Sequence, residues 1–572
     1  MDIYIRLLRY IAPYKLKFAI ASFFMVLISL TSGSVALLMQ PLLDDIFGRK
    51  DYDVLTLVAG ALLGIYFVRG IARYLASSLM QIVGQLAVRN IRNELHSNMQ
   101  KLSLSFFNSR KTGEIISRIT NDVQLLQEAV SIVLFDIIRE SCTMVVLLVI
   151  LFYQDWQLTL FAIILIPISA VVIIKLGAII RKISKASQEA MAAINGLLFE
   201  TFAGIKVVQA FSMENYEIQR FHEVNESYFQ TIKRAIRVSE VSSPLLEFLG
   251  AISLTMIIWY GGYQVINDKL TAGQFFSFFT ALFMLYAPVT KLARANNKAQ
   301  QAVAAAVRVF NYIDIKSTIV ESPNPIHVGK LQNAVEFNNV TFAYDPGKNV
   351  VDDVSFTLRQ GECVALVGPS GSGKTSLASL LPRFFDSTGG EILFDGTNIK
   401  DISINSLRAN IGVVTQEIFL FADTIRNNIG YGLDSIDEER LLNASKSAFA
   451  HDFILELPDQ YETYIGQQGV KLSQGQRQRI SIARAIMKDP SILIFDEATS
   501  SLDIKSERMV QNAISNLVSS RASIVIAHRL STIIKADLII VIEDGKIVEQ
   551  GSHQLLLSKK GLYKKLYDLQ FY

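Results

Sequence analysis

The chain has 572 residues, of which 51% are hydrophobic, and its formal net charge is +3. This length exceeds what one ordinary hydrophobic core fills, so two or more domains are expected. The small net charge provides no bulk attraction to nucleic acid, and no nucleic-acid partner is expected. The two cysteines both lie in apolar runs, which excludes a disulfide framework and indicates a cytosolic or membrane-buried setting.

The mean hydropathy of +0.33 is high for a soluble protein, and the apolar excess lies before residue 290. Crossing a bilayer as a helix takes about 20 apolar residues. We therefore predict an all-α transmembrane domain over residues 1–315 with six spans, at 18–39, 54–83, 130–153, 158–180, 245–266 and 271–290. Spans three and four, and spans five and six, are separated by so few residues that each pair should form an antiparallel hairpin.

Two loops between the predicted spans are long, at about 85–129 and 181–243, and they carry most of the nearby Lys and Arg residues. By the positive-inside rule these loops and both termini are cytoplasmic. We expect the loops to continue the spans as helices, although a solvated basic loop is an open alternative. Residues 1–17 alternate apolar and basic side chains, which predicts an amphipathic helix on the inner leaflet and no cleavable signal.

Charged residues inside the predicted spans are unusual positions. Each costs about 2.5–3.5 kcal/mol near the bilayer centre on insertion scales, so each should face a partner or a watery cavity. Arg69 and Arg139 are candidates for holding an acidic headgroup in a polar translocation cavity. The alternative is pairing within the membrane, for example between Arg139 and Glu247.

A glycine-rich segment lies between an apolar run and a helix-like run. Strand, glycine loop and helix in this order predict a phosphate-binding P-loop, whose backbone N–H groups point at nucleotide phosphates. Lys374 is expected to neutralise the β and γ phosphates of ATP, and the Thr375 hydroxyl to bind Mg²⁺. The expected nucleotide contacts in this segment are Gly368, Pro369, Ser370, Gly371, Ser372, Gly373, Lys374, Thr375 and Ser376.

The composition changes to short β-rich runs after a proline-containing linker, which we place at 316–332. Strands that later alternate with helices predict an α/β nucleotide-binding domain with an antiparallel β flank over residues 333–572. Within it the apolar run 491–495 ends in two carboxylates. Asp496 is placed to hold Mg²⁺, and Glu497 to orient and activate the attacking water; the alternative is that both acids cap the next helix.

Leu472-Ser473-Gln474-Gly475-Gln476 resembles the signature motif of ABC ATPases, although it has Gln474 where that family usually has glycine. With the P-loop, this resemblance implies roles for residues across the second half. It implies that Ser473, Gly475 and Gln476 contact nucleotide, that Tyr344 stacks on adenine, that Gln416 is a metal-binding and catalytic glutamine, that Asp503 belongs to the D-loop and that His528 contacts the γ-phosphate.

In ABC ATPases the P-loop of one domain and the signature of another enclose each ATP, so the resemblance implies a two-fold dimer. Because Glu497 and His528 are both present, a homodimer is favoured. The whole chain, with a six-span half before the ATPase half, resembles type IV exporters (type I exporters). The segments Pro41-Leu42-Leu43-Asp44-Asp45, Arg69-Gly70 and Ser117-Arg118-Ile119-Thr120 are similar to those of MsbA-type lipid A flippases of the bacterial cytoplasmic (inner) membrane. That resemblance implies lipid-headgroup contacts at Arg69 and Arg139, with Lys291 as an approximate match to a third position.

Other functions share parts of this pattern. A multidrug or peptide exporter would use every ATPase residue named above, and only the arginines in the spans favour an anionic lipid or related hydrophobic substrate. An ATP-gated channel need not retain Glu497, so that function is less favoured. A soluble ABC scaffold is inconsistent with the six predicted spans.

Replacing Glu497 by Gln should abolish ATP turnover while preserving nucleotide binding, because the amide keeps the shape of the side chain but cannot accept a proton from water. Measurements of steady-state ATPase activity and of nucleotide affinity check both halves of this prediction. Full ATPase activity in the variant would contradict the catalytic assignment.

Overall fold

The computed structural model describes residues 2–496, 504–518, 521–526 and 533–571. Two compact units divide the chain: one comprises Met1–Ser97 and Ile116–Ile313, and the other Asn98–Ile115 and Asp314–Tyr572. The first half is helical and the second half contains the sheets. The predicted fold class, an all-α domain followed by an α/β domain with an antiparallel β flank, is confirmed.

The first half forms long helices joined by short turns. A 3-10 segment occurs at Ala12–Tyr14, and short π-helical segments occur at Leu42–Gly48, Arg118–Asp122 and Ala129–Val133. The α-helices are α1 (Asp2–Ile11), α2 (Lys15–Leu37), α3 (Met39–Pro41), α4 (Tyr52–Gln100), α5 (Leu104–Asn108), α6 (Thr112–Ser117), α7 (Val123–Glu128), α8 (Leu134–Gln154), α9 (Trp156–Ala203), α10 (Ile205–Ala210), α11 (Glu214–Ile266) and α12 (Ala272–Asp314).

Within the described residues, three helical stretches are long and apolar enough to cross a membrane: Ile5–Gly48, Tyr52–Gln100 and Ala272–Asp314. The other three predicted spans fall on α8, α9 and α11, and the count of six stays a prediction. On α4, large apolar side chains such as Leu57, Leu63 and Phe67 are exposed. A helix that exposes such side chains in a row is typical of a lipid-facing surface.

Polar contacts fasten α2, α8 and α12 to one another. The Ser29 hydroxyl contacts Thr143 Oγ1 at 3.0 Å, and the buried Ser277 hydroxyl donates to the carbonyl of Ala36 at 2.9 Å. Gln154 Nε2 donates to the same Ser277 oxygen at 3.0 Å. Buried polar groups of this kind must be paired, so they fix how these helices pack as well as holding them together.

The second half contains two sheets within the described residues. An antiparallel sheet has the order β2-β1-β4-β5, and a larger sheet has the order β10-β9-β3-β8-β7-β6. In the larger sheet β9, β3, β8, β7 and β6 run parallel and β10 pairs with β9 antiparallel. The strands are β1 (Ala334–Phe342), β2 (Val351–Arg359), β3 (Cys363–Val367), β4 (Gly389–Phe394), β5 (Thr397–Asn398), β6 (Ile411–Val414), β7 (Ile492–Asp496), β8 (Ala522–Ile526), β9 (Leu538–Glu543) and β10 (Lys546–Gly551).

Helices pack between and beside these strands. β3 is buried along its whole length, as expected for a central strand with both faces covered. The helices are α13 (Lys374–Leu380), α14 (Ile404–Ala409), α15 (Ile425–Ile429), α16 (Glu438–Ser447), α17 (His451–Leu455), α18 (Gln474–Met487), α19 (Ile504–Val518), α20 (His553–Lys559) and α21 (Leu562–Phe571), with 3-10 turns at Gln460–Glu462 and Gln467–Gly469.

The segment between the two halves is bonded to the ATPase domain over much of its length. Arg383, which is 1% exposed, donates to the carbonyl of Val320 at 3.2 Å and also pairs with Asp386 at 2.9 Å. Ile326 donates its N–H to the carbonyl of Asp401 at 2.8 Å. The chain is therefore fixed to this domain from about Val320 onward.

A buried carboxylate ties the first long loop to the end of α12. Asp122 accepts hydrogen bonds from Arg308 at 3.0 and 2.5 Å and from Arg118 at 2.8 Å. Arg118 also lies over the ring of Tyr312, 5.9 Å from its centroid. Burial would raise the pKa of Asp122, but the hydrogen bonds and charges of the two arginines outweigh it and hold the pKa below its usual range.

Replacing Asp122 by Asn should destabilise the helical unit by about 2 kcal/mol, because two guanidinium groups lose their charged acceptor. Since the folded-state pKa lies below the unfolded one, this contribution is complete above the unfolded-state pKa and is lost only as pH falls through the folded value. The variant should therefore unfold at a lower temperature than wild type at every pH between about 5 and 8.

Glu128→Gln is the matched control, because it removes a carboxylate from an exposed pair with Lys298, 3.3 Å apart. An exposed pair contributes about 0–1 kcal/mol, so this variant should unfold close to the wild-type temperature. Thermal unfolding in detergent measures both variants. An equal loss of stability in the two would contradict a special role for Asp122.

Candidate ATP-binding site

The glycine loop lies at the carboxyl end of β3, where the chain turns into α13. Gly368 and Gly373 have φ values of +155° and +99°, which strongly favour glycine. A Cβ atom at Gly368 would collide with the carbonyl oxygen of Ile542, and one at Gly373 with that of Val350. The loop is thus held against neighbouring backbone, and only glycine fits at these two positions.

The ammonium group of Lys374 is folded into this loop. It donates to the carbonyl oxygens of Gly368 at 2.9 Å and Pro369 at 2.7 Å, and to the Ser372 hydroxyl at 3.3 Å. The residue is 6% exposed. A buried ammonium that donates to backbone carbonyls and a hydroxyl is a strong anion-binding group, because a phosphate can replace these weaker acceptors.

Two oxygen ligands meet beside the loop. Thr375 Oγ1 donates to Asp496 Oδ1 at 3.5 Å, which joins the start of α13 to the end of β7. The two residues are 121 positions apart in sequence. A hydroxyl and a carboxylate in this arrangement fit Mg²⁺, which prefers oxygen ligands and takes its remaining positions from phosphate and water.

An exposed aromatic ring lies next to the loop. Tyr344 is 52% exposed, and its hydroxyl is 3.0 Å from the Ser376 hydroxyl on α13. Its ring meets Phe342 and Phe385 edge-on, with centroids 4.8 and 5.2 Å away. The ring is therefore braced by two neighbours and by α13, and it can serve as a stacking surface.

The signature-like segment forms the start of α18. Ser473 is the N-cap residue, and its side chain accepts from the N–H of Gln476 at 3.3 Å. In return the Gln476 side chain accepts from the N–H of Ser473 at 2.9 Å. This capping box assigns Gln476 a local structural role that we did not predict, although serine followed three residues later by glutamine is its sequence pattern. Gly475 is buried and Ser473 is exposed.

Gln416, which follows β6, is exposed. It lines an open cleft of about 530 Å³ together with Gln474 and Arg477. The residues lining this cleft include neither Thr375 nor Asp496. The structure thus places Gln416 beside the signature-like segment of its own chain, a neighbourhood that sequence reasoning missed.

Three predicted site residues, Glu497, Asp503 and His528, lie outside the described residues. The strands that precede two of them are described. Glu497 directly follows Asp496, the last residue of β7, and His528 is the second residue after Ile526, the last of β8. Both strands belong to the parallel sheet that carries the P-loop.

Two of the three candidate substrate residues in the membrane half are brought together. Arg139 and Lys291 both donate to Glu140, and Arg139 also pairs with Asp136 at 3.4 Å. Arg139 is thus paired within the membrane half, as in the alternative given above, but the example partner Glu247 is wrong, because Glu140 on the same helix takes that place. Arg69 is half-buried on α4 and makes no ion pair with the described part of the chain.

A P-loop with its lysine, a magnesium-type oxygen pair and a braced aromatic ring, joined in one chain to long apolar helices, defines a membrane-attached nucleotide-binding protein. Family models agree with this class. The ABC transporter transmembrane region matches residues 18–289, and the ABC transporter domain matches residues 351–500. The chain belongs to the ABC transporter family, and it is an ATP-hydrolysing transporter with an exporter architecture.

Relatives match over the full length. An ATP-dependent lipid A-core flippase from Syntrophus aciditrophicus is 46% identical over 571 residues, which cover 100% of this chain and 95% of that protein. A flippase of the same name from Escherichia coli is 37% identical, with 98% and 96% covered. A putative multidrug export ATP-binding/permease protein, YgaD of Bacillus subtilis, is 36% identical, with 100% of both chains covered.

Replacing Tyr344 by Leu should weaken ATP binding about ten-fold, because stacking on a nucleobase contributes about 1–3 kcal/mol. Tyr344→Phe is the matched control: it keeps the ring and removes only the contact with Ser376, so its affinity should stay close to wild type. Equilibrium binding of a fluorescent ATP analogue measures both. Equal affinities in the two variants would contradict the stacking role.

Proposed function

We propose that the protein is an ATP-driven flippase that moves lipid A or a related anionic lipid out of the inner leaflet of a bacterial cytoplasmic membrane. The observation that carries this proposal is the joining of a complete P-loop to a membrane half in which Arg139 and Lys291 converge. The relatives named ATP-dependent lipid A-core flippase support the same substrate class.

The proposed roles rest on the geometry of the P-loop and of the residues beside it, and for Gln416, Glu497, Asp503 and His528 on the family resemblance alone. Lys374 and the N–H groups of the glycine loop would hold the phosphates, and Tyr344 the adenine. Thr375 and Asp496, with Gln416, would hold Mg²⁺, which when bound neutralises phosphate charge during phosphoryl transfer. Glu497, which follows the last residue of β7 in the sequence, would orient the attacking water, and His528 would contact the γ-phosphate. Asp503 would complete the site.

A homodimer forms the working unit in this proposal. Ser473 is exposed at the start of α18, where it and Gly475 can reach the ATP held by the P-loop of a second copy. Each chain then supplies half of two sites, and ATP closes the pair. The six predicted spans, with both termini and the ATPase domain in the cytoplasm, give twelve spans in the dimer.

Transport requires that the two states bind the lipid differently, since equal affinity in both would shift nothing. In the alternating-access cycle that we propose, ATP-driven closure opens the cavity outward, and hydrolysis returns it. The cytoplasmic helices of the long loops carry the movement. Multidrug export is a second candidate, because the relative from Bacillus subtilis bears that name.

Reconstitution into phospholipid vesicles tests the substrate. We expect lipid A to stimulate ATPase activity and to move between leaflets in an ATP-dependent manner, whereas Glu497→Gln should move none. Movement of cationic drugs without movement of lipid A would overturn the lipid proposal in favour of drug export.

Arg69→Gln tests the charge in the cavity. It should weaken stimulation by lipid A several-fold and leave stimulation by a cationic drug unchanged, because it removes one favourable charge from the path of an anion. Lys269→Gln, in the short connection before α12, is the matched control for loss of one positive charge. An unchanged response to lipid A in Arg69→Gln would refute a headgroup role for Arg69.

A further inference from the structure

The convergence of Arg139 and Lys291 is organised by a single carboxylate. Glu140 Oε1 accepts from Arg139 Nε at 3.0 Å and from Lys291 Nζ at 3.0 Å, and it also contacts Arg139 Nη2. Arg139 and Glu140 lie on α8, and Lys291 lies on α12. One oxygen of Glu140 thus holds together two cations from two helices.

These three side chains differ in their access to solvent or ligand. The Glu140 side chain is 5% exposed and that of Arg139 is 11% exposed, whereas that of Lys291 is 46% exposed. Arg139 is held further by the Phe135 ring, 4.7 Å from its guanidinium carbon. The partly exposed side chain of Lys291 therefore contacts the buried ion pair of Arg139 and Glu140.

The charges of this cluster cancel. Arg139 and Lys291 are balanced by Glu140 and Asp136, the latter 3.4 Å from Arg139. A pair of cations in the apolar interior needs such compensation, since an unpaired charge there is costly. An incoming anion therefore meets a cluster of zero net charge, in which Arg139 and Lys291 already donate hydrogen bonds to Glu140.

We propose that Glu140 is an internal counter-anion, which a phosphomonoester headgroup must displace from Arg139 and Lys291. This inference rests on the proposed function and adds the residue that sets its selectivity. A guanidinium fork and an ammonium that meet at one point fit a tetrahedral dianion, whose several oxygens satisfy both donors at once. A carboxylate with one shared oxygen satisfies them less fully, and a zwitterionic or cationic headgroup cannot displace it.

This arrangement also links binding to helix position. Because Glu140 and Lys291 are on different helices, displacement of the carboxylate frees α12 from α8 at this point. Glu140 therefore discriminates against weak anions when no substrate is present, and while a headgroup is bound the displaced carboxylate is a repulsive neighbour that favours its release. The role is one of specificity and positioning, distinct from the ATP chemistry.

Glu140→Gln tests the inference because it keeps the size of the side chain and removes its charge. We expect the concentration of phosphatidic acid that half-stimulates ATPase activity to fall about ten-fold, the scale of a single charge–charge coupling in a partly buried site. Stimulation by phosphatidylcholine should not change. Glu247→Gln, which removes an exposed carboxylate on α11, is the matched control and should behave as wild type.

A second substitution separates the counter-anion role from a merely structural tie. Lys291→Gln alone should weaken the response to phosphatidic acid, and Glu140→Gln with Lys291→Gln should return it close to wild type, because the cluster is neutral again. If Glu140 only ties α8 to α12, the double variant should instead be at least as impaired as either single variant. Binding of phosphatidic acid, measured by thermal stabilisation in detergent without ATP, provides the readout independent of turnover.

Inorganic phosphate distinguishes the source of the anion. We expect Glu140→Gln to bind phosphatidic acid more tightly than inorganic phosphate, since the acyl chains anchor only the former in the membrane, and to tighten binding of phosphatidic acid relative to wild type. Tightening for inorganic phosphate alone would overturn the proposal of a lipid headgroup. Unchanged or weaker binding of phosphatidic acid in Glu140→Gln would overturn the counter-anion role, even if wild type transports lipid. Conversely, tighter binding in a protein that transports no lipid would uphold this inference and refute the proposed function.

Discussion

The ATPase half depends on the hydrogen-bonded register of a parallel sheet. When parallel strands pair, their carboxyl ends come to the same edge, and the loops that leave them are placed side by side. β3 delivers the glycine loop to this edge and β7 delivers Asp496, with β8 between them. Thr375 and Asp496, which are far apart in sequence, thus meet because strand pairing places the ends of β3 and β7 at the same edge of the sheet. The relative positions of the site residues are therefore fixed by strand pairing in the sheet, and the loops need not be rigid by themselves.

Much of this half could be predicted from the sequence, since its patterns are local. The glycine loop needs positive φ values, and only glycine fits beside the neighbouring carbonyl groups. Because these requirements restrict the residue type, the loop can be recognised from the sequence alone. The apolar runs of β3 and β7 are equally plain. The capping bond of Gln476 was within reach, because its pattern is also local. The cleft beside Gln416 was not, because it depends on how separate loops fold back on β6.

Less of the membrane half could be predicted from the sequence. Long apolar helices are evident from composition, but the partners of charges within them are not. Arg139 pairs with the adjacent Glu140 on its own helix, although the predicted spans also contain Asp136 and Glu247. The acid that pairs with Arg139 depends on the direction of the side chains around the helix and on the position of α12. Residue spacing in the sequence predicts neither. Arginines in membrane spans therefore indicate that a polar site exists before they indicate what fills it.

The short connection after α12 sets a limit on motion. That helix ends at Asp314, and the chain is already bonded to Arg383 at Val320. The residues between them, 315–319, can span about 20 Å at most when fully extended, at roughly 3.5 Å per residue. Thr318 in this stretch is itself held by the Ser103 hydroxyl, 2.7 Å away. The end of α12 is thus joined to the anchored residue Val320 by at most about 20 Å of chain. A movement of the end of α12 away from Val320 beyond this length must displace Val320 as well.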